Sequence, residues 1–452
     1  MTSAILNNTV NFIGTVPLSI RQALGKLDKK SQSVLQSASK LGQGFSWPIG
    51  VLDLIKKDEG VEIEDDRLEK PLVIYPNEIK TPPKVFQVTA MRKLVSKDYG
   101  NLEAPTGSGK TLMSILAMKE LQTTVLFVTH RVGLAKQAAQ TIHTELGVIP
   151  GFIGEGDRTE GMKITVAVAQ SIVNKPLSDR YGLLIVDECH RLPTKTMLDI
   201  VCQYSARHKY GMTATLPRKN KKGDLIKFIL GTHKVTVSVE DALEILNIPV
   251  CVPVRLKGGT ADKDFCRANC KIQKDCKSGK EMLDCEFFTG KMFTFLSGWV
   301  NQPGRNEVVC GHAMSLLESG HHSIAILTSR KAHAHAIAEI LSGRGISITV
   351  CVGKLDKYAL DEFAMFGGIL VGTESLMGEG VDLPELSALL LASPAGGRTK
   401  VRQRAGRLMR GVGTKLLIDY IDDDCYSQRL WWSRSKTYRS MRFGFKRPEE
   451  VL

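Results

Sequence analysis

Short apolar runs recur along this chain with longer helical patterns between them, and no other feature restricts the fold as much. VLFV (125–128), ITVAV (164–168) and LLIV (183–186) are apolar at consecutive positions, so they read as strands covered on both faces, the condition of a parallel sheet. SIAIL (323–327), GILV (368–371), LLLA (389–392) and KLLI (415–418) repeat the pattern further on. The expected fold is therefore α/β, with two tandem parallel-sheet domains at residues 81–240 and 301–452. A length of 452 residues leaves room for more: a small N-terminal module over 1–80, and a cysteine-rich insertion over 241–300, where Gly, Lys and five cysteines break the rhythm.

Composition narrows the class. Hydrophobic residues make up 43% and charged residues 24%, as in soluble globular proteins, and no apolar stretch approaches the ~20 residues of a membrane helix. The N-terminus, MTSAILNNTVNFIG, has no basic segment leading into an apolar run, so a cytoplasmic protein is expected. A net charge of +14 favours a polyanionic partner. Residues 1–50 are basic and 51–70 acidic, which fits either a basic module with an acidic connector or a solvated face. Two stretches nearly free of acids, Arg207–Lys234 and Arg398–Lys415, lie beside the motifs that follow.

Ala104-Pro105-Thr106-Gly107-Ser108-Gly109-Lys110-Thr111 precedes the helical run LMSILAMKEL. Glycines let successive backbone N–H groups curl around phosphate oxygens. Lys110 can neutralise β and γ phosphates, and the Thr111 hydroxyl can ligate Mg²⁺. Such a loop binds ATP, although Ala104 stands where the pattern has Gly. Asp187-Glu188-Cys189-His190 follows the run LLIV directly, 77 residues after Lys110. Carboxylates at the C-terminal end of a buried strand sit where open α/β sheets bind ligands, so Asp187 can hold Mg²⁺ while Glu188 polarises the attacking water.

Together these motifs resemble the DExH-type helicases of superfamily 2, and the resemblance extends over residues 80 to 440. VTHRVGLAKQ (128–137), VAVAQSI (166–172), Thr213-Ala214-Thr215, ILTSR (326–330), GTESLMGEGVDLP (372–384) and QRAGRLMR (403–410) stand in the family's order. The fifth has one residue more between Thr373 and Asp382 than many members have. The resemblance implies two RecA-like domains that hydrolyse ATP in the cleft between them. It gives His190, Gln403, Arg407 and Arg410 to catalysis, and Gln87, Gly380 and Asp382 to the nucleotide, with Gln87 reading adenine. It gives a nucleic-acid track to Thr129, Arg131, Gln137, Gln170, Ser171, Thr328, Ser329, Arg330 and Thr373. Gln403, Arg407 and Arg410 are spaced to share one helix face, and arginines aimed at a γ-phosphate are worth ~10³ to 10⁵ in rate.

In size and layout the chain resembles the UvsW-type phage branch-migration helicases. The expected substrate is accordingly DNA, single-stranded, forked or as a four-way junction, with replication or recombination proteins as partners and no membrane. An RNA helicase, or an ATPase switch without strand separation, stays open. Cys266, Cys270, Cys276 and Cys285, among lysines, fit a zinc site or an iron–sulfur cluster, with free thiols as the alternative, because the spacing lacks C-x2-C pairs. Cys189, Cys202, Cys310, Cys351 and Cys425 read as small apolar residues. The tail SQRLWWSRSKTYRSMRFGFK can bind nucleic acid, or pack as a helix with the family's R-x-x-x-Y pattern; packing is preferred for Trp431 or Trp432. Trp47 and the aromatics of 287–299 are candidate strand-separating wedges or core.

Overall fold

The computed structural model describes residues 3–6, 10–13, 18–25, 27, 32, 46–55, 61–65, 67, 70–191, 194–214, 221–256, 300–353, 357–374, 385–394 and 398–452. They form two compact units, residues 1–242 and 243–452.

The first unit is built on an eight-stranded sheet of β5 (Tyr99–Glu103), β6 (Val125–Thr129), β7 (Gly151–Gly154), β8 (Asp157–Arg158), β9 (Ile164–Val168), β10 (Leu183–Asp187), β11 (His208–Thr213) and β12 (Lys234–Thr236). Its order is β12-β5-β11-β10-β6-β9-β7-β8, parallel except for the β7–β8 hairpin. All three runs expected as strands here are strands. The chain also makes strands of YGNLE and HKYGMT, which no apolar run announced. Their polar groups find partners inside: Lys234 pairs with Glu103 at 2.6 Å, and the buried Lys209 donates to Val201 O at 2.8 Å. Burial pulls the Lys209 pKa down to about 8.

The N-terminal segment forms a small sheet, β3-β2-β1-β4, of β1 (Ser3–Leu6), β2 (Val10–Ile13), β3 (Ser46–Trp47) and β4 (Glu62–Asp65). Val10, Ile20, Trp47, Ile49 and Val51 share one core with Leu225, Phe228 and Ile229 of the helix Lys221–Leu230. The approach is close: a Cβ on Gly50 would lie 2.3 Å from the Gly231 nitrogen. Asp53 accepts from the Thr232 amide at 2.6 Å and from Tyr99 Oη at 3.2 Å. So the described residues of this segment pack against the helix Lys221–Leu230. A segment this small cannot bury enough apolar surface alone, and it borrows that of this helix. Trp47 is thereby core, and it is withdrawn as a wedge.

The second unit carries a seven-stranded sheet, β15-β16-β14-β17-β18-β13-β19, parallel throughout. The strands are β13 (Val250–Leu256), β14 (Ser323–Thr328), β15 (Ile348–Cys351), β16 (Gly368–Thr373), β17 (Ala388–Leu391), β18 (Leu416–Asp422) and β19 (Gly444–Phe445). The strand β13 corrects the expected insertion over 241–300: VCVPVRL pairs with β18 from Val250 to Leu256, so Cys251 belongs to the sheet. Its Pro and Arg masked the pattern. Cys266, Cys270, Cys276 and Cys285 lie outside the described residues, as do the aromatics of 287–299. Cys189, Cys202, Cys310 and Cys351 are buried, as small apolar residues should be, and Cys425 is half-buried.

The helix Cys425–Ser440 docks on this sheet through charge as well as apolar surface. Arg434 forks onto Asp419 with two bonds of 2.8 Å, both side chains almost fully buried, and Tyr438 Oη donates to the same carboxylate at 2.9 Å. The R-x-x-x-Y pattern of the tail is this clamp. A second buried pair, Arg305 with Asp422 at 2.7 and 3.0 Å, holds the helix Pro303–Glu318. Nearby, His333 contacts Ser393 Oγ at 3.2 Å and Asn306 Oδ1 at 2.9 Å. Burial, with the Arg305 charge, lowers its pKa to about 3, so it is a neutral structural group.

Candidate functional site

Strand order decides what meets at the edge of the first sheet. Along the C-terminal ends of β5, β11, β10, β6 and β9 stand, in turn, the glycine loop, Thr213, Asp187, Thr129 and the turn carrying Gln170 and Ser171. Residues spread over more than a hundred positions become one row, and that edge is where ligands bind in open α/β sheets.

The loop at the end of β5 has the shape that the glycines implied. Gly107 and Gly109 have φ of 87° and 79°, a region closed to most side chains, and the helix Lys110–Leu121 starts immediately after them. Ala104, the departure from the pattern, has no positive φ; it is buried and donates from its amide to Thr213 O at 3.0 Å. A side chain is tolerated there because the backbone is ordinary. Lys110 Nζ bends over the loop to Ala104 O at 3.3 Å and Pro105 O at 3.2 Å. These residues fit a nucleoside triphosphate: backbone amides at a helix N-terminus, an ammonium group above them, and the Thr111 hydroxyl in the helix's first turn.

Gln87, the residue expected to read adenine, is bonded to protein at both ends of its amide. Its Oε1 accepts from the Lys84 amide at 2.9 Å and its Nε2 donates to Ser108 O at 3.0 Å, with the side chain buried. A Cβ on Gly109 would lie 2.5 Å from that Nε2. Gln87 therefore ties the helix Val85–Val95 to the crest of the loop. Gln87→Ala should leave a buried carbonyl without its donor, costing about 1–3 kcal/mol of loop order. The expected result is a KM for ATP raised roughly tenfold with the melting temperature nearly kept, read from ATP titrations of turnover.

Asp187 ends β10, and its Oδ1 accepts from the Glu188 amide at 3.0 Å. Glu188 has φ of 53°, a left-handed conformation that costs a residue with a Cβ roughly 1 kcal/mol or more. It turns the carboxylate toward His190 Nδ1 at 3.1 Å and Thr213 Oγ1 at 3.4 Å, while Nδ1 and Oγ1 stand 3.1 Å apart. Thus the DECH box and the start of the Thr213 motif are joined; Thr215 lies outside the described residues. The small residue between Glu188 and His190 has a reason too. Cys189 is seated against Gly211, where a Cβ would come within 2.7 Å of it. Gly211 and Asn101, whose side chain also meets Cys189, are site-supporting residues that no motif marked.

Of the expected track, Arg131, Gln137 and Gln170 are exposed and Ser171 is half-buried. Thr129 corrects the expectation: it is fully buried, and its hydroxyl closes on Arg131 O at 2.9 Å. Thr328 repeats this in the second unit, buried and closing on Arg330 O at 2.8 Å. Both threonines shape a strand-to-helix turn that presents the arginine after them as helix N-cap. Thr373 lies beside Thr328 across β16 and β14, and the Ser329 amide donates to Ser393 Oγ at 3.1 Å.

The helix Arg398–Leu408 carries Gln403 and Arg407, but it ends before Arg410, which stands in the following turn. Three residues on one helical face therefore becomes two on a helix and one past its end. Arg407 and Arg410 are half-buried, whereas Arg404 is buried and bonds Glu374 at 2.6 Å, tying this helix to the residue after Thr373. Gly380, Asp382 and the Gln403 side chain lie outside the described residues. Among those described, no cluster of His, Cys, Asp and Glu could hold a metal by itself, and no helix is long and apolar enough to cross a membrane.

Known proteins resemble this chain. Residues 80–218 match the family model described as "Type III restriction enzyme, res subunit". The chain is 27% identical over 432 residues to a protein of Escherichia phage T5 named "probable helicase", across 92% of this chain and 88% of that one. It is 26% identical over 188 residues to the DNA 3'-5' translocase XPB2 of Sulfurisphaera tokodaii, where the match spans 41% of this chain and only 42% of the relative. The Pyrococcus furiosus Hef helicase domain superposes with a TM-score of 0.54 at 18% identity, covering 78% of this chain and 98% of that one. S. cerevisiae Dbp5 bound to RNA and ADP BeF3 gives 0.56 at 12% identity, covering 81% and 90%. At such identities the likeness speaks for the fold, and the fold is two RecA-like parallel-sheet domains.

Proposed function

We propose that this chain, an ATP-hydrolysing helicase of superfamily 2, is a DNA translocase that grips one strand by its backbone and remodels forks and junctions, branch migration included. The observation that carries the reading is the single row at the first sheet's edge. The phosphate loop, the carboxylates and the exposed Arg131 and Gln170 rise from strands of one sheet, so a change at the loop can reach the track through β11, β10 and β6. The net charge of +14 and the named activity of the XPB2 relative favour DNA as the polyanion.

In this reading Lys110 neutralises the β and γ phosphates, with the amides of Thr106, Gly107, Ser108 and Gly109 around them. Thr111 and Asp187 would hold Mg²⁺, which supplies charge neutralisation between the phosphates when bound. Glu188, held by His190 and Thr213, orients the attacking water and takes its proton. Arg407 and Arg410 supply positive charge to the transferring phosphoryl group, and Gly380 and Asp382 complete the nucleotide contacts. Arg131, Gln137, Gln170, Ser171, Ser329, Arg330 and Thr373 hold the strand by phosphate and sugar, which gives movement without sequence preference.

The test is ATPase stimulation by single-stranded DNA, RNA, blunt duplex and a four-way junction at equal nucleotide concentration and fixed salt, followed by strand displacement on the junction. DNA should stimulate more than RNA, and the junction should be resolved into its products in an ATP-dependent way. Equal or greater stimulation by RNA would make the chain an RNA helicase. Stimulated turnover without any strand movement would make it an ATPase switch.

A further inference from the structure

Two adjacent tryptophans on the helix Cys425–Ser440 have opposite surroundings. Trp431 packs, its ring centroid 6.2 Å from Tyr438 and 6.5 Å from Phe445. Trp432 is 65% exposed, and Lys436, one turn on, sets its Nζ 3.6 Å from the indole centroid. Leaving a large apolar side chain in water forgoes about 1.5–3 kcal/mol that burial would contribute. Trp432 therefore does nothing for the packing that Trp431 already supplies.

The charged residues of its helix are all of one sign. From Cys425 to Arg447 the chain has no Asp or Glu, and Arg429, Lys436, Arg439 and Lys446 are exposed. Arg429, Trp432, Lys436 and Arg439 are spaced by three or four, so they share a helix face. At the end of that face the Arg439 guanidinium lies 5.2 Å from the ring of Phe445, itself 38% exposed. Rings alternating with cations along a helix free of acids are complementary to a chain that alternates planar bases with phosphates.

We propose that Trp432, with Lys436, Arg429 and Arg439 around it, is a stacking platform for unpaired bases of a single nucleic-acid strand. It is separate from the residues of the motor motifs, and it rests on the reading of the chain as a nucleic-acid motor. Lys436 covers one face of the indole, and a base takes the other; the cations meet the phosphates on either side. Every base has a π-face, so the platform has no sequence preference. A base pair inside a duplex hides its faces, so duplex gains only the charge.

The experiment uses the full chain with Trp432→Ala and Trp432→Phe. Binding of an oligothymidylate and of a blunt DNA duplex is measured by anisotropy at fixed salt, with intrinsic tryptophan fluorescence followed in parallel. Trp432→Ala should weaken oligothymidylate binding about ten- to a hundredfold, the factor for one stacked base, and leave duplex binding nearly unchanged. Trp432→Phe should keep most of the affinity, since a phenyl ring still stacks, and should abolish most of the fluorescence quenching that the oligothymidylate causes in the wild-type chain. Undiminished binding by Trp432→Ala, equal loss on single strand and duplex, or quenching that survives in Trp432→Phe would each overturn the platform. A wild-type chain that binds neither probe would overturn the motor reading itself, and the platform with it.

Discussion

Glu188→Gln is expected to lower nucleic-acid-stimulated ATP turnover by ~10² to 10⁴, the range for loss of a positioned general base, while ATP still binds. Lys110→Ala should reach a comparable loss by a different route, with weakened ATP binding, because the ammonium group that faces the loop carbonyls is gone. The two are separated by measuring nucleotide affinity beside steady-state turnover. The backbone at Glu188 offers an internal control. Its φ of 53° is strained for Glu and easy for Gly, so Glu188→Gly should relieve strain of roughly 1 kcal/mol while abolishing turnover. A variant that melts no lower than wild type and is inactive would show that the strained turn serves chemistry and not folding. Turnover near wild type in Glu188→Gln would remove the carboxylate from the mechanism.

Arg434→Ala is expected to destabilise the second unit by about 3–5 kcal/mol, since it removes the buried counter-charge of the Asp419 carboxylate and leaves it the neutral Tyr438 Oη. That is a large part of the 5–15 kcal/mol total typical of a domain. Urea unfolding followed by tryptophan fluorescence would read it, and Trp431, packed near Tyr438, is a reporter in the right place. The double replacement Arg434→Met with Asp419→Leu should lose less than Arg434→Ala alone, because it removes both buried charges together. If single and double variants were equally destabilised, the clamp's contribution would be apolar packing and not the pairing of charge.

Local patterns carried much of this in one dimension. The glycine pattern dictated a loop with positive φ before a helix, since only Gly adopts that conformation cheaply, and β-branched apolar runs dictated buried parallel strands. The DECH box likewise followed a strand, as its position required. What spacing could not convey was exposure. Thr129 and Thr328 looked like hydroxyls for a phosphate backbone, and both proved to be buried turn-formers, because a residue type does not say whether its oxygen is already bonded. Nor could the sequence show that the amide of Gln87 is bonded at both ends to protein. Strands such as YGNLE and VCVPVRL carry no unbroken apolar run: Glu103 of the first is paired with Lys234 of a neighbouring strand, information absent from the segment itself, and Pro253 and Arg255 interrupt the second.

By itself, then, the sequence determined the two α/β units, the glycine loop and the order of the motifs, because each depends on backbone propensity and periodicity within a few residues of its own position. Only the tertiary structure decided which ends of strands lie side by side. It ordered β5, β11, β10, β6 and β9 so that the loop, Thr213, Asp187 and Arg131 share one edge, drew the N-terminal segment into the motor's core through Gly50 and Asp53, and left Trp432 in solvent while burying Arg434 two positions away. Those outcomes rest on shape complementarity and charge pairing between segments far apart in the chain, and such interactions have no period to read.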